Sequence, residues 1–325
     1  MTKFLVVGNA LVDVVACIHS PTTIEIDSKT VEKILCINFA SKTELEDLRV
    51  KFGGSAANTA VTLCALGSQT ELATAVGNDD FGRMVLQDLG KAKVGTKYCE
   101  KLPGKRTGMS VVLLAGGEKS VLTFHGAFSS LSPKHLNKQA IEQADVIIFT
   151  SLSSPENFQY FLKAVGLCRK LGKKMVFAPS ITMLRARADE FRKFHEHFDV
   201  VIMNREEAAL YTGKTDAQTA LRALPGKVRV ITDGANGAFL HFGGESFHIN
   251  TAARKVVDST GAGDAFTGAF CQQYYSHGDA KRALATASAV AALKLSTLGA
   301  HFKNTTADVE KFKKKNAATL KISKR

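Results

Sequence analysis

Nine residues late in the chain carry its densest chemistry: Asp258-Ser259-Thr260-Gly261-Ala262-Gly263-Asp264-Ala265-Phe266. Residues 254–257 in front of them read as the end of a strand. Ala265 to Tyr275, mostly apolar and aromatic with Gly268 its only glycine, reads as a buried helix. The chain therefore turns from strand into helix through Gly261, Ala262 and Gly263. The first N–H groups of a helix lack partners within it and carry the positive end of its dipole. Glycines at such a turn let a phosphate come close to the backbone. Asp264 falls in the first turn, where the dipole favours an ionised carboxylate. A carboxylate beside an anion site is placed to take the proton from a hydroxyl during phosphoryl transfer. An alanine at 263 is expected to block the phosphoryl and to strain any positive φ there. A capped, tightly packed turn with no ligand would use the same residue types, so the rest of the chain has to decide.

Other clusters lie where a strand hands over to a helix. Gly8-Asn9-Ala10-Leu11-Val12-Asp13 follows the apolar run Phe4–Val7, and α/β proteins bind ligands at the carboxyl ends of such strands. Asp13 suits hydroxyls and would serve equally as a turn residue. Gly53 and Gly54 precede a helix that Gly67 ends, with Asn58 one turn in; capping by Ser55 is the plainer reading of the same stretch. Asn204-Arg205-Glu206-Glu207 opens a helix after the strand 200–203. Thr232-Asp233-Gly234-Ala235-Asn236-Gly237 is a glycine turn between two strands.

Several chemistries are excluded. There is no Gly-x-x-x-x-Gly-Lys-Ser/Thr loop, no third glycine at Phe266 to complete a dinucleotide fingerprint, and no Gly-x-Ser-x-Gly elbow. His195 and His197 lack the helical spacing that brings two imidazoles to one metal. Six scattered cysteines without a Cys-x-x-Cys suit reduced thiols in a cytoplasmic protein. No apolar run is long enough to span a membrane, and the N-terminus reads as a first strand. The net charge of +13 invites a nucleic-acid reading. Seven of those charges sit from Lys311 onward without an acid among them, so a solvated basic tail is expected and a nucleic-acid partner is not.

The elements that must hold these clusters alternate. Strands are expected at 71–76, 145–149, 174–177, 200–203, 228–231 and 238–242. Helices are expected from about 53 to 66, up to Leu89, and at 155–171, 189–197, 261–276 and 280–295. That rhythm predicts an α/β fold with a central, mostly parallel sheet covered by helices on both faces. Two stretches break it. Residues 14–50 alternate loosely, and 109–114 with 120–124 flank Gly116-Gly117 as a hairpin. One domain over 1–325 is expected, with a small β lid drawn from about 13–50 and 96–125 and a basic tail from about 307.

The order of the pieces resembles the ribokinase or PfkB family of sugar and nucleoside kinases. The resemblance runs from Val6 to about Ala300. Gly53-Gly54 through Asn58 looks like the family's first signature, and Asp258 to Asp264 like its second, more specific one. It implies a ribokinase-like fold and ATP-dependent, Mg²⁺-assisted phosphorylation of a hydroxymethyl group on a sugar or on the ribose of a nucleoside. Asp264 would be the base, and the Gly261, Ala262 and Gly263 amides would hold the phosphoryl. Asn9, Asp13, Gly53, Gly54 and Asn58 would meet the acceptor; Asn204, Thr232, Gly234 and Gly237 the nucleotide; Glu207 the Mg²⁺, through water. Asp258 and Thr260 match positions that hold a monovalent cation such as K⁺ in some members. A homodimer through the lid also follows from the resemblance. Phe177-Ala178-Pro179-Ser180 departs from the sugar kinases, which often carry Asp there. Asn9 and Asp13, four apart, look more like the adenosine-kinase-like members. A catalytically silent member serving as a binding or scaffold protein is the alternative, against which the intact Asp264 and glycine turn argue.

Overall fold

The structure is a computed structural model that describes all residues except 20, 21, 27–31, 116 and 117. The glycine turn expected at 116–117 lies outside the described residues. Strand β1 (Lys3–Val7) occupies the middle of a large sheet, between β6 (Gln69–Gly77) and β10 (Val146–Phe149), parallel to both. Beyond β6 comes β7 (Gly95–Leu102); beyond β10 come β11 (Lys174–Phe177), β12 (Val200–Asn204) and β13 (Val228–Thr232), all parallel. Direction then alternates through β14 (Ala238–Phe242), β15 (Glu245–Ile249) and β16 (Ile322–Lys324).

Side chains on a strand point alternately to its two faces. In β1, Phe4 and Val6 enter one core while Leu5 and Val7 enter another. The first core takes the apolar sides of α1 (Ser55–Ala65), α2 (Asp80–Lys91), α8 (Ala262–His277), α9 (Ala280–Leu295) and α10 (Thr306–Lys315). The second takes α3 (Lys138–Gln143), α4 (Pro155–Lys170), α5 (Ile181–Arg192), α6 (Arg205–Thr212) and α7 (Ala217–Ala223). Helices on both faces are why the central strands read as unbroken apolar runs. A Phe161-centred cluster with Phe149, Phe158, Phe177 and Phe191 fills the second core, its rings tilted or edge to face except for the stacked Phe158.

A separate four-stranded sheet runs β5 (Leu45–Gly53), β2 (Leu11–Ile18), β8 (Met109–Ala115), β9 (Glu118–Phe124). A hairpin of β3 (Thr22–Ile26) and β4 (Glu32–Cys36) belongs to neither sheet. Cross-strand register sorts the small sheet into two faces. Lys51, Asp13, Ser110 and Thr123 share one; Val50, Val14, Val111 and Leu122 share the other, as do Phe52, Val12, Met109 and Phe124.

Four boundaries differ from those expected. Residues 96–102 belong to β7 at the edge of the large sheet, so the small sheet draws on the later stretch from Met109. Residues 254–257 are not strand; they form an irregular approach to the turn, with Val256 and Val257 exposed. Helix α5 starts at Ile181, capped by the Ser180 side chain accepting from the Met183 N–H, and ends at Arg192. The tail is not simply solvated. Val309 and Leu320 are buried, and β16 pairs with β15, Ile322 opposite Ile249.

Candidate active site

Gly261 caps α8 in the left-handed conformation, φ 76°. A β-carbon there would overlap the Ala300 carbonyl oxygen, so the turn requires glycine twice over. Gly263 is different. Its φ is ordinary, it is exposed, and a β-carbon would meet nothing within 4 Å. The open space beside Gly263 is the approach to the first turn of α8, where the Ala262 N–H already donates to the Ser259 carbonyl at 3.3 Å.

Asp264 is held from α1. Asn58, 3% exposed, donates from Nδ2 to Asp264 Oδ2 at 2.8 Å, and Thr59 Oγ1 donates to the Asp264 carbonyl at 3.4 Å. Helix α1 reaches this place because Gly54 (φ 100°) turns the chain tightly over Asn9; a β-carbon at Gly54 would lie 2.6 Å from the Asn9 carbonyl oxygen. Burial pushes the Asp264 carboxyl up to about 6, and the nearby Asp13 charge adds to the rise; hydrogen bonds from Asn58 and Ser55 hold it back. A carboxyl with such a value is mostly ionised at neutral pH yet avid for a proton.

Across the cavity, Asn204 and Glu207 form a reciprocal cap on α6. Glu207 N–H donates to Asn204 Oδ1 at 2.8 Å, and Asn204 N–H donates to Glu207 Oε2 at 2.9 Å. Burial raises the Glu207 carboxyl to about 7, and the Asp264 charge contributes. Two carboxylates made reluctant to ionise by burial, Glu207 also by the Asp264 charge, are a place where a divalent cation is welcome. No group of three or more His, Cys, Asp or Glu that could hold a metal occurs among the described residues. The donors suit Mg²⁺ nonetheless, since it keeps several waters and takes one or two carboxylates together with substrate phosphates.

One cavity of about 230 Å³ joins these parts. Gly261, Gly263 and Asp264 line one wall, Asn204, Glu207 and Thr232 the other. It opens at the carboxyl ends of β10 to β13, the edge where parallel sheets bind ligands. Among the expected residues, Asn58 reaches it only through Asp264, and Asn9, Asp13, Gly53, Gly54, Gly234 and Gly237 are not on its wall. Asp13 instead accepts a hydrogen bond from Ser110 Oγ, and a β-carbon at Gly53 would overlap Asp13 Oδ2. Gly234 and Gly237 shape the turn after Thr232, where Asp233 N–H donates to the Gly237 carbonyl at 2.8 Å. Three wall residues not singled out in the sequence are Thr150, Ser180 and Thr59. Thr150 follows β10 as Asn204 ends β12, and that small polar residue after an apolar strand was the signal for it.

Asp258 lies behind the turn. Its Oδ1 accepts from Thr260 N–H at 2.9 Å and its Oδ2 from Gly299 N–H at 2.8 Å; despite the opposing effect of burial, these bonds and the nearby Lys294 hold its carboxyl below the usual range. Its carbonyl oxygen accepts from Lys294 Nζ at 3.4 Å.

Comparison with known proteins bears on all of this. The model of the pfkB family carbohydrate kinases matches residues 13–307. A ribokinase of Mus musculus is 31% identical over 265 residues, covering 77% of this chain and 80% of that protein. An ATP-dependent 6-phosphofructokinase of Thermoanaerobacterium thermosaccharolyticum is 26% identical over 277 residues, 82% of this chain and 86% of that one. A putative ribokinase II from E. coli, solved with ATP and Mg²⁺, superposes with a TM-score of 0.82 at 23% identity, covering 97% of this chain and 100% of that chain. The adenosine kinase from Sinorhizobium meliloti gives 0.80 at 21%, covering 95% and 98%.

Proposed function

This chain belongs to the pfkB family of carbohydrate kinases, and from that premise we propose that it moves the γ-phosphoryl of ATP onto a hydroxymethyl group of a sugar or of the ribose of a nucleoside. The observation that carries the reading is the single cavity in which the open start of α8 and Asp264 face Asn204, Glu207 and Thr232. Asp264 takes the acceptor's hydroxyl proton as the new O–P bond forms. Its Oδ2 is steered by Asn58, which fixes the carboxylate without neutralising it. The amides at Gly261, Ala262 and Gly263 stabilise charge on the passing phosphoryl, with no reorganisation needed at the moment of transfer. Glu207 and Asn204 would hold Mg²⁺, largely through water, and the ion would supply positive charge against the phosphates. Thr232, Gly234 and Gly237 shape the nucleotide side, and the exposed Val256 and Val257 offer an apolar surface for a base. In this reading Asn9, Asp13, Gly53, Gly54 and Asn58, which lie off that cavity's wall, would meet the acceptor; the buried Asn9 Oδ1 and Asn58 Oδ1 lack protein partners and suit donor hydroxyls.

Two further features belong to this reading. The face of the small sheet away from Asp13 exposes Val50, Leu122 and Phe124, with Leu48 beside them. A contiguous apolar face of that kind is seldom left bare, and a second copy of this chain is the occupant we propose. The six cysteines are free thiols, which favours a reducing compartment such as the cytoplasm; no helix among the described residues is long and apolar enough to cross a membrane. Acceptor-dependent ADP formation across a panel of free sugars, sugar phosphates and nucleosides tests the activity. A folded protein that binds these compounds yet transfers phosphate to none of them would be the silent binding member instead.

A further inference from the structure

Lys294 sits in the last turn of α9 and is 0% exposed. A lysine is almost never fully buried unless its charge is matched. Its Nζ donates to the Asp258 carbonyl at 3.4 Å and to the Thr297 carbonyl at 3.3 Å. The negative end of α9 and the nearby Asp258 carboxylate add favourable charge. Around the ammonium the backbone is tightly braced. Val257 N–H donates to the Leu295 carbonyl at 2.7 Å, Gly299 N–H is held by Asp258 Oδ2, and the Ala300 carbonyl packs on Gly261. Two segments, 257–261 and 295–300, thus close over one positive charge, and the segment they support is the turn that caps α8.

A monovalent cation expected beside Asp258 and Thr260 would need carbonyl oxygens from these same segments. Two of them, from Asp258 and Thr297, already face an ammonium. The residues present do not fit a second cation there. We propose that Lys294 is a positioning residue whose ammonium is a tethered substitute for a free monovalent cation, holding the Gly261–Gly263 turn in its phosphoryl-binding shape so that this enzyme works without K⁺. Lys51 also approaches the loop at Gly299, where a β-carbon would lie 3.2 Å from Nζ, and its ammonium interacts with the Asp258 carboxylate.

The test compares the full-length protein, Lys294→Ala and Lys294→Arg in KCl and in tetramethylammonium chloride of equal ionic strength. Three quantities are read: kcat and KM with the best acceptor, melting temperature, and affinity for a non-hydrolysable ATP analogue. The unsubstituted protein should show the same rate and melting temperature in both salts. Lys294→Ala in tetramethylammonium should lose about tenfold or more in kcat with a smaller change in acceptor KM, the pattern of a damaged transition-state contact. K⁺ or NH₄⁺, entering the vacated space, should restore part of the rate and raise its melting temperature. Lys294→Arg should keep its indifference to K⁺. Stimulation of the unsubstituted protein by K⁺ of about fivefold or more, roughly 1 kcal/mol of transition-state stabilisation, overturns the proposal, and that arm decides even where Lys294→Ala does not fold. A folded Lys294→Ala that is fully active in tetramethylammonium overturns it too, as does one that no monovalent cation rescues in rate or melting temperature. The kinetic arm rests on the kinase reading. The melting and nucleotide-affinity arms need no acceptor, so a protein without turnover would sink that reading and leave this one to be judged on them.

Discussion

At the scale of single residues, Asp264 makes the sharpest commitments. Asp264→Asn keeps the shape and the hydrogen bond's other partner but cannot accept a proton; turnover should fall by about 10² to 10⁴ with nucleotide affinity largely kept. More than a tenth of the original kcat remaining would remove the base. Its carboxyl is raised from 3.8 to about 6. The folded protein therefore holds that proton to a higher pH than the unfolded chain does, so this group's contribution to stability is present below about 4 and lost as pH rises through 6. Asp264→Asn should accordingly melt higher than its parent at pH 7.5 and show no such advantage near pH 4, where calorimetry can compare them. The acid limb of the kcat/KM profile should bend near 6 and flatten in the variant. Gly261 and Gly263 separate in the same way. Gly261→Ala combines a left-handed φ with a backbone overlap and should cost about 1–3 kcal/mol of stability or more. Gly263→Ala, expected from sequence to be strained, falls at an ordinary helical position; its fold should hold while ATP-analogue affinity drops, because the methyl enters the phosphoryl's approach. An unchanged affinity in calorimetric titration would put the phosphoryl elsewhere. Asp264 was legible because residue type, glycine turn and apolar helix coincide within nine positions. Lys294 was not, since one lysine in the alanine-rich Ala280–Leu295 looks like any solvent-facing helix position until burial is known.

Among the elements, the buried parallel strands and long helices were legible because each is a run of one hydrophobic period. The misses share a cause: partner-dependent structure. In Gly95–Leu102 polar residues alternate with Tyr98 and Leu102, since a sheet-edge strand need not be apolar throughout, and so it read as part of the lid. Helix α5 begins behind Pro179-Ser180 with a weakly apolar sequence, and its N-cap is a serine that could equally sit in a loop. The tail, whose seven late positive charges suggested solvation, offers only Val309, Phe312, Leu320 and Ile322 as apolar anchors; β15 decides its last strand. Removing residues 316–325 should therefore lower the melting temperature, because it uncovers the edge of β15 and the Leu320 site, while kcat stays within about threefold, below 1 kcal/mol of lost transition-state stabilisation. An unchanged melting curve would mean that β16 contributes nothing to the fold.

For the molecule as a whole, the small sheet and the large one meet where Asp13 and Lys51 face the α8 turn and the loop at Gly299. Its opposite face is apolar and exposed. We expect the small sheet to act as a lid that closes on the acceptor and excludes water. Limited proteolysis should then cut within 14–50 and 109–125 more slowly when acceptor is bound; equal cutting in both states would argue for a fixed sheet. Replacing Leu122 and Phe124 together with serine should shift the protein toward monomer in sedimentation, and no shift would place any dimer contact elsewhere. The alternating rhythm of strands and helices made the two-faced sheet legible, but not which strands neighbour β1. That depends on contacts between residues far apart in the chain, which local periodicity does not encode.

The bond from Asn58 to Asp264 joins residues 206 positions apart, and Thr232, Asn204 and Glu207 complete the cavity from between them. During synthesis Asp264 and the Asn58 amide that holds it can meet only after α8 has emerged. If Asp264 is the base, a nascent chain that ends before α8 has nothing to take the acceptor's proton. In that reading phosphoryl transfer waits until two distant halves of the chain have found each other.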